Sequence, residues 1–318
     1  MYATELPPWL VRAAALMFGA VWGSFFNVAI YRWPREMSVV TPPSHCPACS
    51  APVRPHQNIP IFGWLALRGR AACCGAKLSV RYPLVELLSA VLCVALAERY
   101  LVSAEATATL FDASLVTVLT FAFVGGLLII TFVDLEWMEI PDEVSLPCAA
   151  LGLATATIRP EPGPAAAAIG AGAGFLVVQV VFVWAYERVT GRRGMGEGDA
   201  KLLLMIGAFL GWQGAIFAIV AGAFQGLVTT GALMATGRQL APPPTEEEEG
   251  PAGLGEDEGA EPGAGEGGAE AAEADDEDPA PEHIGHVKVP YGPFLALGAL
   301  EFLFFGDHLV AWYMTLFE

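Results

Sequence analysis

Four stretches of this chain carry no Asp, Glu, Lys or Arg: residues 13–31, 113–133, 162–186 and 202–237, of 19, 21, 25 and 36 residues. A helix that crosses a bilayer needs about 20 consecutive apolar residues, so each is long enough to span. Only helices and closed barrels satisfy every backbone group inside hydrocarbon. These runs lack strand alternation, which excludes a barrel and leaves a helical bundle. The fourth run is too long for one crossing and is expected to turn near Gly211-Trp212-Gln213-Gly214. Residues 144–158 form a shorter candidate. Residues 84–101 and 289–317 add two more, although they hold Glu86 and Glu98, and Glu301 and Asp307. The expected fold is an all-α polytopic membrane protein of about eight transmembrane helices with a small cytoplasmic Cys-containing segment. A chain that is 54% hydrophobic and 16% charged is too apolar for a soluble domain of this size.

The net charge of −18 is misleading. Residues 239–287 contain 16 acidic residues and no Lys or Arg; without them 16 basic residues face 18 acidic ones, a balance of −2. That segment is Glu, Gly, Ala and Pro with almost no large apolar side chains. It cannot bury enough surface to fold, so it reads as a disordered acidic insert that links two helices.

Orientation follows from the basic residues in the loops. Residues 32–82 contain seven (Arg32, Arg35, Arg54, Arg68, Arg70, Lys77, Arg81) against one acid, Glu36, which places the segment in the cytoplasm. Counting spans onward puts residues 134–142 inside after the third span and 187–199 inside after the fifth, with Arg188, Arg192 and Arg193 agreeing. The first run is expected to stay in the protein, because it is long for a signal-peptide core and no Ala-x-Ala follows it before Arg32. The organisation read from the sequence is a first helix (1–31), a cytoplasmic Cys segment (32–82), a membrane core (83–238), the acidic insert (239–287) and a last helix (288–318).

Parity brings two aspartates to one membrane face. Asp134 ends an apolar run within Phe132-Val133-Asp134-Leu135-Glu136, and Asp199 closes Gly196-Glu197-Gly198-Asp199 just before the next run begins. Carboxylates at a bilayer boundary are costly and read as functional. Two that lie close cannot both ionise easily, so they share a proton and can activate a water. Gly196 and Gly198 suit turns with positive φ or close approach of a substrate backbone. Asp199 alone could be an N-cap. Asp142, after Pro141, reads as a helix cap, Lys201 as an interfacial residue that could tune Asp199, and Glu136, Glu139 and Glu197 as solvated loop charges.

In the cytoplasmic segment Cys46-Pro47-Ala48-Cys49 is followed by Cys73-Cys74. Reduced thiols in pairs point to a metal, and four thiolates complete tetrahedral zinc. Because the second pair is adjacent, its side chains are expected to point apart. His45 and His56 are therefore candidate fourth ligands, and metal-free reduced thiols or a redox pair are the other readings of the segment. Cys93 and Cys148 lie in apolar runs and read as packing residues.

Taken together these residues resemble the type IV prepilin peptidases, bifunctional leader peptidases and N-methyltransferases. The resemblance is carried by Gly23-Ser24-Phe25-Phe26-Asn27 through Tyr31-Arg32, by Cys46-x-x-Cys49, by Asn58-Ile59-Pro60, by Arg81-Tyr82-Pro83-Leu84-Val85-Glu86, by Asp134 with Ile140-Pro141-Asp142, by Gly196-x-Gly198-Asp199-x-Lys201 and by Pro290-Tyr291-Gly292-Pro293-Phe294. It implies a multi-pass inner-membrane enzyme facing the cytoplasm, with Asp134 and Asp199 as the catalytic dyad. Cys46, Cys49, Cys73 and Cys74 would hold zinc. The implied substrates are prepilins or pseudopilins, cleaved after a Gly at the lipid boundary. The implied methyl donor for the new N-terminus is S-adenosylmethionine. The chain departs from the family's second Cys-x-x-Cys at Ala71, and has Gly63 where Ser is common. No nucleic-acid partner is expected, and the oligomeric state is left open. A carboxylate-coupled transporter is the reading from another class, and a protease without methylation the nearer alternative.

Overall fold

The structure is a computed structural model that describes residues 2–46, 48–105, 107–191, 195–236 and 290–315. The acidic insert read at 239–287 lies outside the described residues. Among the described residues the architecture is helical, without strands. In order the helices are α1 (Pro8–Arg32), α2 (Phe62–Ala66), α3 (Arg81–Ala97), α4 (Leu110–Trp137), α5 (Asp142–Ala154), α6 (Pro164–Leu176), α7 (Tyr186–Thr190), α8 (Glu197–Thr236) and α9 (Gly292–Met314). Val177–Ala185 joins α6 to α7 in wider π turns, so this helix runs continuously.

Four stretches are long and apolar enough to cross a membrane: Pro8–Arg35, Leu110–Trp137, Pro164–Thr190 and Glu197–Leu233. They coincide with the four charge-free runs. Of the charge-bearing candidates, 84–101 becomes α3, of 17 residues, and the shorter candidate 144–158 becomes α5, of 13. Large apolar side chains such as Trp9, Met17, Phe111, Phe224 and Leu227 face outward, as expected of helices solvated by lipid.

The over-long run is broken where its sequence suggested. Within α8, Gly211 takes φ 72° and ψ −174°, a conformation that only glycine adopts without strain. A helix that ends inside a bundle leaves carbonyls without partners. Arg159 supplies them: its guanidinium donates to the carbonyls of Phe209 (2.6 Å), Ala208 (2.8 Å) and Gly152 (2.8 Å), and lies over the Phe209 ring.

Helix α4 runs through the middle, touching α1, α3, α5 and α9. Its 28 residues extend about 42 Å at 1.5 Å per residue. α1 and α3 pack backbone to backbone: a Cβ at Gly19 would sit 2.7 Å from the Ala90 Cα, and one at Gly23 2.7 Å from the Glu86 Cα. Small residues at such spacing let membrane helices approach closely. Gly222-x-x-x-Gly226 serves the same purpose inside this chain, where α8 meets Phe294 at the start of α9.

Candidate active site

One end of the bundle gathers the end of α4, the starts of α5, α8 and α9, and the segment between α1 and α3. Asp134 lies one turn from the end of α4 and is 5% exposed; Asp199 lies in the first turn of α8 and is 7% exposed. The two lie within electrostatic reach, the charge of Asp199 acting on the Asp134 carboxylate.

Each carboxylate has one oxygen held by a backbone amide. Oδ2 of Asp134 accepts from the Gly292 N–H at 2.8 Å, and Oδ2 of Asp199 from the Gly196 N–H at 3.0 Å. The first donor is an unpaired amide at the start of α9, where the helix dipole also favours negative charge. The second is half of a capping box: Asp199 sits at the third position of α8 and reaches back to the residue before the helix. Asp199 is therefore not the N-cap itself. Nor do Gly196 and Gly198 supply positive φ. Gly198 is used for closeness, since a Cβ there would lie 2.9 Å from the Ile140 Cβ. Gly292 has no room either: its Cβ would fall 2.6 Å from Oδ2 of Asp134. No role for Gly292 beyond its motif is legible in the sequence, because its partner is 158 positions away.

The charged neighbours differ from expectation. Lys201 grips both oxygens of Asp142, at 2.6 and 2.7 Å, so its ammonium is directed to Asp142 rather than Asp199. Asp142 is the first residue of α5 and caps it through charge, making no side-chain cap bond. Glu136 is not a solvated loop charge: it lies in the last turn of α4 and pairs with Arg81 at the start of α3. Glu139 and Glu197 are exposed.

The four thiols at Cys46, Cys49, Cys73 and Cys74 converge, all Sγ atoms within 4.8 Å of one another. Two hairpin knuckles carry them. The first closes through Cys46 N–H to Ala51 O (2.8 Å) and Ser50 N–H to Cys46 O (2.9 Å), the second through Ala71 N–H to Ala76 O and Gly75 N–H to Ala71 O (both 2.8 Å). Adjacent Cys73 and Cys74 do not point apart. The turn at Gly75, φ 74°, wraps the knuckle so that their sulfurs lie 3.9 Å apart, with Cys49 to Cys73 at 3.3 Å and Cys46 to Cys74 at 3.7 Å. Zinc–sulfur bonds of about 2.3 Å in a tetrahedron put sulfurs about 3.8 Å apart, so the donor set fits zinc. Burial opposes a thiolate at Cys46, but the amides of Ala48 and Cys49 and the thiols of Cys73 and Cys74 bring it down to about 7. Hydrogen bonding with the Cys49 and Cys46 thiols pushes Cys73 up to about 12. Neither histidine joins the cluster: His45 Nδ1 faces the Pro43 carbonyl at 3.2 Å, and His56 is exposed. Gly63 is required here, as a Cβ would lie 2.3 Å from the Gln57 carbonyl oxygen. Cys93 and Cys148 are buried packing residues.

Known proteins resemble this chain along nearly all of its length. Residues 17–100 match the Bacterial Peptidase A24 N-terminal domain, and residues 121–231 match the Type IV leader peptidase family. A protein of Aeromonas hydrophila named Prepilin leader peptidase/N-methyltransferase is 31% identical over 98% of this chain and 96% of its own length. Proteins of the same name from Pectobacterium carotovorum subsp. carotovorum and Neisseria gonorrhoeae are each 33% identical, over 72% and 74% of this chain and 85% and 87% of theirs. No solved structure matches. The first family match takes in the first cysteine pair and Cys73-Cys74, the second takes in both buried aspartates, and the alignment with the Aeromonas protein runs almost end to end; the chain belongs to the type IV leader peptidase family.

Proposed function

We propose that this chain is a prepilin leader peptidase and N-methyltransferase of the inner membrane, with Asp134 and Asp199 as its catalytic dyad. One observation carries the protease reading. Two buried carboxylates stand at helix ends, the charge of Asp199 acting on Asp134, and each keeps one oxygen anchored by an amide. Anchoring fixes the pair while leaving the other oxygens for chemistry. One carboxylate, ionised, takes a proton from water; the other, protonated, donates to the scissile carbonyl and stabilises its developing charge. No covalent acyl-enzyme forms.

The substrates are prepilins, as the relatives' names state for them, and pseudopilins of the same build. Cleavage after a Gly just before an apolar helix enters the bilayer suits a dyad held at helix ends. The new N-terminus is then methylated from S-adenosylmethionine. Eight helices cross the membrane in this reading: α1, α3, α4, α5, the helix from α6 to α7, the two halves of α8, and α9. The cysteine segment then faces the cytoplasm with the dyad. Zinc held by Cys46, Cys49, Cys73 and Cys74 clamps the two knuckles together.

The test is to incubate the detergent-purified chain with a prepilin and S-adenosylmethionine and weigh the product's N-terminus. Loss of the leader with gain of one methyl group is expected. Loss of the leader alone would leave the dyad and remove the methyltransferase. An intact prepilin across several substrates would remove both.

A further inference from the structure

Between the cysteine segment and helices α1 and α3 lies a half-open cavity of about 200 Å³. Two of its lining groups are polar, buried and incompletely matched. Asn27 is 3% exposed; its Nδ2 donates to the carbonyls of Gly23 and Tyr82, which fixes the amide's orientation, and its Oδ1 has no partner. Glu86 is 7% exposed. Oε2 accepts the Ile61 N–H at 2.6 Å and Ser24 also reaches the carboxylate, but no cation pairs with it among the described residues. A buried charge ordinarily has an opposite charge beside it. Arg32 also lines the cavity, yet its guanidinium is directed to the carbonyls of Ser38 and Pro42. Tyr31, Trp64 and Tyr82 supply aromatic walls, whose faces attract cations. A free acceptor, an unmatched carboxylate and aromatic rings together suit a small organic cation.

Resting on the methyltransferase reading above, we propose that this cavity is the methyl-transfer site, with Asn27 Oδ1 and the Glu86 carboxylate receiving the α-ammonium of the newly exposed N-terminus. In the step, the ammonium gives one proton to Glu86. The freed lone pair forms the new N–C bond to the donor's methyl carbon, the C–S bond breaks, and its electron pair stays on sulfur, turning a sulfonium into a neutral thioether. The proton passes from Glu86 to water. The cavity is also tied to the dyad's end of the bundle. Arg35 lies over the rings of both Tyr31 and Trp137, at 4.2 and 4.7 Å, and Trp137 follows Asp134 by three residues.

The test uses the full detergent-purified chain and two readouts. The first is the ratio of methylated to cleaved product from one prepilin. The second is calorimetric binding of four probes: S-adenosylmethionine, S-adenosylhomocysteine, and a short peptide starting with Phe, free or acetylated at its N-terminus. Glu86→Gln and Asn27→Leu are expected to lower the ratio at least tenfold and to weaken the free-amine peptide while leaving the acetylated one unaffected. Ala51→Phe, which enlarges a side chain of the first knuckle that lines the cavity, is expected to lower the ratio equally. If the variants instead weaken S-adenosylmethionine but not S-adenosylhomocysteine, the sulfonium sits there and the amine assignment is overturned. Unchanged ratios and affinities in all three would overturn the cavity assignment while wild-type methylation left the methyltransferase reading standing. A wild-type chain that neither methylates nor binds the donor would remove that reading and the assignment with it.

Discussion

Lys201 and Asp142 clasp the two aspartate-bearing parts of the site together. Lys201 is two residues past Asp199 on α8, and Asp142 opens α5, the helix that follows the Asp134-bearing α4. Both side chains are partly exposed, at 29% and 51%, and such pairs contribute about 1 kcal/mol or less to stability. Asp142→Asn and Lys201→Met should therefore leave the melting temperature within about 2 °C. Cleavage should drop several-fold, because the clasp sets the distance between the helices. Steady-state cleavage of a prepilin alongside a thermal melt separates the two effects.

Asp134→Asn and Asp199→Asn should each abolish cleavage, by about 10³-fold or more, with helical content unchanged by circular dichroism. Activity surviving in either single variant would remove the dyad.

Gly292→Ala tests the anchor on Asp134. Its methyl group would fall within 2.6 Å of the carboxylate oxygen, so α9 or Asp134 must shift. Cleavage should fall about 10- to 100-fold, since misplacement by an ångström costs on that order. Gly196→Ala is the contrast: its Cβ would meet Asp199 Oδ2 at an ordinary 3.5 Å, and cleavage should change little.

Zinc content should be one per chain by elemental analysis of the purified protein. Cys73→Ser and Cys74→Ser should each lose it, because both sulfurs lie in the cluster. Thiolates are the ligands, so protons compete with the metal and zinc affinity should fall as pH is lowered. Retained zinc in both serine variants would exclude the four-thiol site.

Arg159→Met should destabilise the chain by about 2–4 kcal/mol, as three helix-end carbonyls lose their donor. A chemical melt in detergent measures it. Deleting residues 239–287 should leave cleavage within about twofold, as expected of a linker with almost no large apolar side chains to dock.

What could be read from the residues was what local chemistry dictates. Charge-free runs announced the helices, and the surplus length of the last run, with Gly211-Trp212-Gln213-Gly214 inside it, announced a break. Asp134 and Asp199 stood out because charge at the end of such a run is costly. Pairings over long separations were not legible. Gly292 with Asp134, Arg81 with Glu136 and Lys201 with Asp142 each depend on which helix ends meet. The adjacent cysteines misled for a local reason: neighbouring side chains diverge on an extended chain, but Cys73 and Cys74 sit on a tight knuckle. Span counting also has a physical limit, for α3 and α5 are too short to stand out by length.

The donors that anchor the two aspartates belong to the main chain. Sequence drift at position 292 can crowd its carboxylate, yet at 196 and 292 alike only proline could delete a donor outright. The hold on the acids is thus inherited through the path of the backbone. A homologue with altered letters around the site should still seat its two carboxylates, provided the beginnings of its counterparts to α8 and α9 are preserved.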